Sequence, residues 1–158
     1  MTAPFRSTPM RVLDEWIDYN GHLNMAYYSV LMDQCADQAY PLLGFGPNYL
    51  ADTGCTTYVA EFHVCYVREL HPGDTVTATL HMLDHDAKRF HIFQEVHHSD
   101  GWLAARGEAL TLHVDQSGPR VAPMPQNILD RIAAMQAAHS HLPWPERAGR
   151  KIGIPKKT

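Results

Sequence analysis

The longest helical pattern in the chain begins after Asn24. Apolar residues then recur with the spacing of one helix face: Met25, Tyr28, Met32, Cys35, Ala36, Ala39, Leu42 and Leu43. Asn24 is a good N-cap candidate, and Pro41 and Gly44 indicate where the helix ends. The pattern predicts a helix of about 17 residues. Because apolar residues cover most of its circumference, we expect a sheet to wrap around it.

After a loop rich in glycine and proline at 44–54, the period changes to two. The clearest alternation places Val76, Ala78, Leu80 and Met82 on one strand face and Thr75, Thr77, Thr79 and His81 on the other. The predicted strands are 8–15, 56–68, 75–82, 88–98 and 102–114. Turns are predicted at 71–74 and 99–101, and a short helix at 125–139 has Ile128, Ile132 and Met135 on one side.

One long helix followed by a meander of long strands is an α+β pattern, with an antiparallel sheet around a central helix. We expect one domain over 1–141 and an extended C-terminal tail over 142–158, which contains three prolines. The open edges of such a sheet favour pairing with a second copy, so a homo-oligomer is expected.

Composition narrows the function classes. The 158 residues carry a net charge of −4, which argues against a general nucleic-acid binder. There is no N-terminal basic stretch followed by an apolar run, and no apolar run long enough to cross a membrane. The three cysteines, Cys35, Cys55 and Cys65, form no metal-binding spacing and fit a reducing cytoplasm.

The most informative motif is Asp18-Tyr19-Asn20-Gly21-His22-Leu23-Asn24, followed by Tyr27 and Tyr28. It resembles the hotdog thioesterases of the 4-hydroxybenzoyl-CoA thioesterase type, which share an acid, a short loop, and Asn or His before the central helix. The segment Pro72-Gly73-Asp74-Thr75-Val76 is similar to their second and third strands. This resemblance covers roughly 8–115 and implies a hotdog fold, an acyl-CoA substrate and no cofactor.

A closer resemblance extends over almost the whole chain. The segments Lys88-Arg89-Phe90-His91-Ile92-Phe93 and Leu112-His113-Val114-Asp115, with Pro143, Pro145, Glu146, Gly149 and Arg150, are similar to the betainyl-CoA thioesterases of carnitine breakdown. Those enzymes occur alone or joined to carnitine dehydrogenase. The resemblance implies betainyl-CoA as substrate, a homodimer or homotetramer, and a functional link to carnitine dehydrogenase.

Asp18 is the expected catalytic carboxylate. It can act as general base for water or as a nucleophile that forms an anhydride, and the sequence leaves both routes open. Asn20, His22 and Asn24 are expected to orient the water, the carbonyl or Asp18. The helix that starts after Asn24 offers N–H groups and a positive dipole end to the thioester carbonyl. Without the resemblance, Asp18 is a turn acid and Asn24 a helix cap.

Substrate contacts are predicted at four positions near the motif and at two strand histidines: Trp16, Tyr19, Tyr28, Glu61, His63 and His91. Aromatic faces would bind a trimethylammonium group by cation–π contacts. Arg68, Arg89 and Arg106 are candidates for the phosphates of coenzyme A. The ordinary alternatives are core packing for the aromatics and solvated surface for the charged residues.

No metal is expected, because none of the 11 histidines lies in an HExxH or a Cys/His array. Two other functions stay open. A hotdog enoyl-CoA hydratase typically carries D-x-N-P-x-H, whereas this chain has D-x-N-G-H. A non-catalytic acyl-CoA-binding protein would bind CoA tightly without turnover, and only the intact Asp18 motif argues against it.

Overall fold

The computed structural model describes residues 3–156. Along the chain they form β1 (Phe5–Arg6), β2 (Met10–Arg11), a 3-10 turn (Asp14–Trp16), α1 (Met25–Leu43), α2 (Pro47–Thr53), β3 (Cys55–Tyr66), β4 (Thr75–His85), β5 (Arg89–His98), β6 (Leu103–Asp115), β7 (Arg120–Val121) and α3 (Gln126–His139). The predicted α+β class is confirmed.

The strands form one antiparallel sheet in the order β1-β4-β5-β6-β3. The short strands β2 and β7 pair with β4 and β6. The long strand β3 pairs only with β6 in the described part of the chain, so its other side is a sheet edge. The exposed apolar residues of this edge strand are Tyr58, Val59, Phe62 and Tyr66.

The helix α1 packs against one face of the sheet, which we call the inner face. The Asn24 side chain caps its N-terminus, and Gly44 ends it with a left-handed φ of 98°. The helix approaches β6 at Gly107, where an added Cβ would lie 2.3 Å from the Met32 Sδ. The Gln94 amide of β5 also donates to the Met32 carbonyl at 2.8 Å.

Several element predictions are confirmed. The predicted inner row of β4, Val76, Ala78, Leu80 and Met82, is buried. The C-terminal helix α3 buries Ile128, Ile132 and Met135, as expected, and it packs on β4 and α1. The tail crosses the opposite, outer face of the sheet, where the Gly149 N–H donates to the Glu108 carboxylate at 2.8 Å.

The N-terminal segment is where the strand prediction was wrong. Residues 8–15 do not form one strand, because Pro9 lacks an N–H for the ladder and the Thr8 N–H donates to the Gln38 side chain instead. Pairing with β4 is therefore split between β1 and β2. The acidic pair predicted to end the strand, Asp14 and Glu15, lies in the 3-10 turn.

Three further expectations need correction. The segment 44–54 contains α2, which starts at Pro47 and ends at the left-handed Gly54. On α1, Met25 and Leu42 are exposed, whereas Leu31, outside the predicted set, is fully buried. Thr79 is also buried, because the outer face of β4 is covered at that position as well.

Candidate active site

The predicted catalytic acid lies in a tight loop, residues 17–24, which we call the catalytic loop. Asp18 Oδ1 accepts a hydrogen bond from the Asn20 N–H at 2.8 Å. The Asp18 carbonyl accepts from the Gly21 N–H at 3.0 Å, and Gly21 has a φ of 82° that favours glycine. The dipeptide Asn20-Gly21 therefore builds the turn that presents the Asp18 carboxylate.

Asn24 joins this carboxylate to the helix. Its Oδ1 accepts from the Ala26 N–H at 3.0 Å, and its Nδ2 lies 3.4 Å from Asp18 Oδ2. One amide side chain thus caps α1 and contacts the acid. Met25 is the first residue of the helix, and an N–H at that position has no acceptor within the helix. The carboxylate and the positive end of the helix dipole consequently lie side by side.

The loop is anchored by backbone hydrogen bonds. Ile17 and Leu23 form an antiparallel bridge, and the Leu23 N–H donates to the Leu70 carbonyl at 2.8 Å. The Asn24 N–H donates to the Trp16 carbonyl at 3.0 Å. Because Leu23 is buried, the loop is held by packing as well as by hydrogen bonds. Such anchoring reduces the freedom of Asp18.

The other residues predicted around the motif do not form one wall. His22 is half-buried, with its Nδ1 3.5 Å from the Leu23 carbonyl. Trp16 stacks on Tyr27 with ring centroids 5.4 Å apart, and Tyr19 is 99% exposed at the loop tip. Tyr28 is only 3% exposed and its hydroxyl accepts from the Leu70 N–H, so it packs as a core residue.

The strand residues predicted to contact substrate lie on the outer face, since their sequence neighbours Phe62, Ile92 and Ala109 face α1. His91 Nε2 lies 2.7 Å from Glu108 Oε1. His63 Nε2 lies 3.6 Å from the Cys65 Sγ, and Glu61 is exposed nearby. The sheet therefore separates these side chains from the α1 side of their own protomer.

Each predicted CoA-binding arginine has an intramolecular partner. Arg68 lies over the Trp102 ring, 4.1 Å from its centroid. Arg106 Nε is 3.4 Å from Glu95 Oε1, and Arg89 Nε donates to Asp86 Oδ2 at 2.8 Å. Hydrogen bonding from Arg89 lowers the pKa of Asp86. Phosphate binding by these arginines would have to share or replace those contacts.

A cavity of about 910 Å³ lies between α1, α2 and β3, and the sequence patterns did not predict it. We call it the α1–β3 cavity. Its aromatic walls are Tyr40, Phe45, Tyr49 and Phe62, and its acidic side chains are Asp33 and Asp37. Polar residues at 33, 37 and 40 have helical spacing, which could have marked this face from the sequence.

The described residues contain no group of three His, Cys, Asp or Glu side chains placed to hold a metal. Within the same range, no helix is both long and apolar enough to cross a membrane.

Sequence comparison identifies similar proteins. The family model described as the thioesterase-like superfamily matches residues 12–132. The betainyl-CoA thioesterase of Pseudomonas aeruginosa is 36% identical over 145 residues, 91% of each chain. The L-carnitine dehydrogenase/betainyl-CoA thioesterase of Rhizobium meliloti is 29% identical over 96% of this chain, which spans only 31% of that longer protein.

Structural comparison agrees. A Staphylococcus aureus protein solved in complex with CoA superimposes with a TM-score of 0.90 and 29% identity, with 98% of both chains covered. A 1,4-dihydroxy-2-naphthoyl-CoA thioesterase from Synechocystis shares the fold, with a TM-score of 0.73 at 16% identity over 83% of this chain and 96% of that one.

Proposed function

The chain belongs to the thioesterase-like superfamily, and on that premise we propose that it hydrolyses short acyl-CoA esters, with betainyl-CoA as the preferred substrate. The observation that carries the proposal is the Asp18 carboxylate fixed beside the N-terminus of α1. A thioesterase needs a base or nucleophile and a donor to the carbonyl oxygen within reach of one carbon atom, and we propose the Asp18 carboxylate and the Met25 N–H for these two roles.

In the proposed reaction the thioester oxygen accepts a hydrogen bond from the Met25 N–H. Asp18 then takes a proton from water while the water oxygen bonds to the thioester carbon, or its carboxylate bonds to that carbon directly. The carbon–sulfur bond breaks, and the CoA thiolate leaves with the bonding electrons and takes up a proton. In the second route water then cleaves the anhydride between the acyl group and Asp18, which releases the free acid and restores the carboxylate. Asn20 and Asn24 hold Asp18 in either route, and His22 is a candidate to orient the water.

Betainyl-CoA is proposed because the Pseudomonas aeruginosa and Rhizobium meliloti relatives are named for that activity. The cationic acyl group also fits the α1–β3 cavity, which combines aromatic walls with carboxyl groups. Trp16 and Tyr19, close to Asp18 in sequence, remain candidate contacts for the acyl group. The burial of Tyr28 leads us to omit it from that set.

CoA binding is supported by the similar Staphylococcus aureus structure, which contains CoA. We propose that the nucleotide end lies against basic side chains, with Arg68, Arg89 and Arg106 as candidates. Three of the predicted substrate contacts, Glu61, His63 and His91, lie on the outer face. There they would contact substrate bound to a neighbouring protomer, or the pantetheine arm of CoA.

We further propose a homodimer, or a homotetramer built from such dimers, formed through the β3 edge. The exposed apolar side chains of β3 and its unpaired backbone groups favour pairing with a second copy. A two-fold axis would make this pairing antiparallel and extend the sheet across both protomers. We also propose a cytoplasmic location and a functional link to carnitine dehydrogenase. The second follows from the Rhizobium meliloti relative, whose name combines both activities in one chain.

A panel of short acyl-CoA esters tests the proposed function. Release of the CoA thiol from saturated esters, with no hydration of the double bond of unsaturated ones, is the expected result. Hydration of enoyl-CoA without thiol release would assign a hydratase instead. Tight CoA binding with no turnover of any ester would assign a binding protein.

A further inference from the structure

The charge on the α1–β3 cavity has one sign. Asp33 and Asp37 lie one helical turn apart on α1, where like charges repel. Burial, and then the charge of Asp37, raises the pKa of Asp33. No lysine, arginine or histidine is among the described residues that line the cavity. A bound cation would relieve this repulsion.

The buried His113 fixes the direction of the hydrogen bond made by Tyr49, a residue that lines the cavity. His113 is 1% exposed, and its Nδ1 lies 2.8 Å from the Ala122 carbonyl oxygen, which can only accept. Nδ1 therefore carries the proton, and in the neutral ring Nε2 is an acceptor. Nε2 lies 2.9 Å from the Tyr49 hydroxyl, so the Tyr49 O–H donates a hydrogen bond to Nε2 of this neutral ring. The phenolic oxygen of Tyr49 keeps its lone pairs for the cavity.

These features select for one chemical class. The ring faces of the cavity attract a positive charge, and its carboxylates and phenolic oxygen add negative potential. A quaternary ammonium group has no N–H to donate, so it gains from aromatic faces and nearby carboxylates and needs no directed acceptor. A phosphate or a free carboxylate would be repelled by Asp33 and Asp37.

The distance along α1 indicates whether the acyl end in this cavity can belong to a thioester held by the same protomer or by its partner. Met25 and Asp37 are separated by roughly 18 Å along the helix axis at 1.5 Å per residue. A short acyl group held at the Met25 N–H cannot span that length. The end of the cavity lined by Asp37 therefore cannot receive a betainyl group whose thioester is bound at the catalytic loop of the same protomer.

The direction of β3 indicates that the catalytic loop of a partner protomer can lie beside this cavity. The Tyr66 hydroxyl donates to the Met25 carbonyl at 3.0 Å, so the C-terminal end of β3 lies at the N-terminus of α1. Thr56 and Thr57, at the other end of β3, line the cavity. In an antiparallel β3 pair the C-terminal end of one strand lies beside the N-terminal end of the other. The partner's catalytic loop would thus lie at the Thr56 end of the cavity.

We infer that the α1–β3 cavity of one protomer binds the cationic end of an acyl group whose thioester is held by the catalytic loop of the partner. Asp37 and Tyr49 are then specificity-determining residues, and His113 is a positioning residue that acts through Tyr49. This inference rests on the proposed acyl-CoA hydrolysis and on the proposed dimer, and it adds the residues that select a quaternary ammonium.

The first test compares two esters: betainyl-CoA and its neutral analogue, in which a tert-butyl group replaces the trimethylammonium. We define the preference ratio as kcat/KM for the first divided by kcat/KM for the second. Asp37→Asn should lower this ratio severalfold, because it removes one opposite charge near the cation, and water partly screens that charge since Asp37 is exposed in the protomer. Asp52→Asn, on α2 and outside the cavity lining, makes the same change in net charge and should leave the ratio unchanged.

His113 needs a measurement that a merely structural role would not move. Tyr49→Phe keeps the ring and removes the oxygen, and it should lower the preference ratio severalfold. His113→Gln should lower the ratio in the wild-type background but not in the Tyr49→Phe background, because it acts through that hydroxyl. An equal loss of rate for both esters would show a structural role only and would overturn the assignment of His113.

Co-expression tests the shared site. Asp37→Asn protomers are produced with a large excess of Asp18→Asn protomers, so that each intact Asp18 pairs with a partner whose cavity is intact. The preference ratio of the mixture should return to the wild-type value. A ratio that stays at the Asp37→Asn value would place Asp18 and Asp37 of one protomer in the same site and overturn the inference.

Failure of cation selection and failure of thioester hydrolysis would give different results. If the wild-type protein releases CoA from both esters with equal efficiency, cation selection is wrong and thioester hydrolysis stands. If it releases CoA from neither ester nor from any member of the acyl-CoA panel, both are overturned.

Discussion

The position of the Asp18 carboxylate is set by its neighbours in the loop. Two amides from the same loop contact its carboxylate, the Asn20 N–H and the Asn24 side chain, and Asn24 also caps α1. The same residues of this motif therefore turn the chain and hold an acid beside a helix N-terminus. We expect substitutions here to separate their effect on stability from their effect on turnover.

Replacing Asp18 with Asn should reduce kcat at least about a hundredfold, because the amide keeps the shape but cannot act as base or nucleophile. Thermal stability should change little, since an Asn oxygen still accepts from the Asn20 N–H. Steady-state thiol release and a melting curve measure the two effects. Asp14→Asn, in the preceding 3-10 turn, is the matched control. A kcat within threefold of wild type would remove Asp18 from the mechanism.

Asn24→Ser tests the link between cap and acid. Serine still caps the helix, so the free energy of unfolding should stay within about 0.5 kcal/mol of wild type, whereas Asn24→Ala should lose about 1 kcal/mol. Both variants lose the contact to Asp18, and kcat should fall about tenfold in both, near the low end for a hydrogen bond to a charged group. Full activity in the serine variant would mean that Asn24 only caps α1.

At the scale of elements, close packing and one buried histidine link α1 and α3 to the sheet. Met32 of α1 lies where a side chain on Gly107 would be. His139, the last residue of α3, is fully buried and its Nδ1 accepts from the Met82 N–H at 3.0 Å. Periodicity predicted α1, α3 and the long strands, but these contacts join residues far apart in sequence, and no local pattern encodes them.

Gly107→Ala should lower the free energy of unfolding by about 1–3 kcal/mol, since the added Cβ would overlap the buried Met32 side chain. Urea denaturation measures the loss. Gly118→Ala is the control, because no atom lies within 4 Å of its added Cβ, and its effect should stay within about 0.5 kcal/mol. Equal stability of the two variants would show that α1 has room to shift away from β6.

Acid should destabilise the fold as the pH falls below about 6.5. Burial lowers the pKa of His139, aided by the charge of His81, and burial also lowers the pKa of His81. Below the unfolded value of about 6.5, the unfolded chain takes up protons that the folded chain does not, so stability falls as pH falls. Each such group contributes at most about 1.4 kcal/mol per pH unit.

Urea denaturation at pH 7.5 and 5.5 checks this dependence. In His139→Asn the Asn oxygen can still accept from the Met82 N–H, but the group no longer titrates, so the loss of stability in acid should be smaller than in wild type. A variant with the same acid sensitivity as wild type would exclude His139 as a source of the effect.

At the scale of the whole molecule, the sequence predicts the α+β class and the fold comparisons agree with a hotdog protein. It also places the acid and its helix together, because both lie in one short motif. It does not predict the α1–β3 cavity, which forms only when a helix, a short second helix and an edge strand meet. The residues predicted as a substrate wall are dispersed because sequence proximity to Asp18 does not make them neighbours in space.

The dimer proposed through β3 predicts a specific sensitivity. Val59→Lys places a charge on an exposed edge residue, 55% exposed in the protomer, and should convert the dimer to a monomer with loss of activity. Val121→Lys, 41% exposed on β7, is the control and should stay dimeric. Light scattering and turnover measure both. A monomeric wild-type protein with full activity would contradict the proposed dimer.

The most direct test of the account is the preference ratio of the wild-type protein, measured by CoA thiol release from betainyl-CoA and from its neutral tert-butyl analogue. Two cation–π contacts alone could supply the 1.4 kcal/mol that corresponds to a factor of ten, so the ratio should be at least about ten. Equal rates for the two esters, or a preference for the neutral one, would contradict a site built for a cationic acyl group.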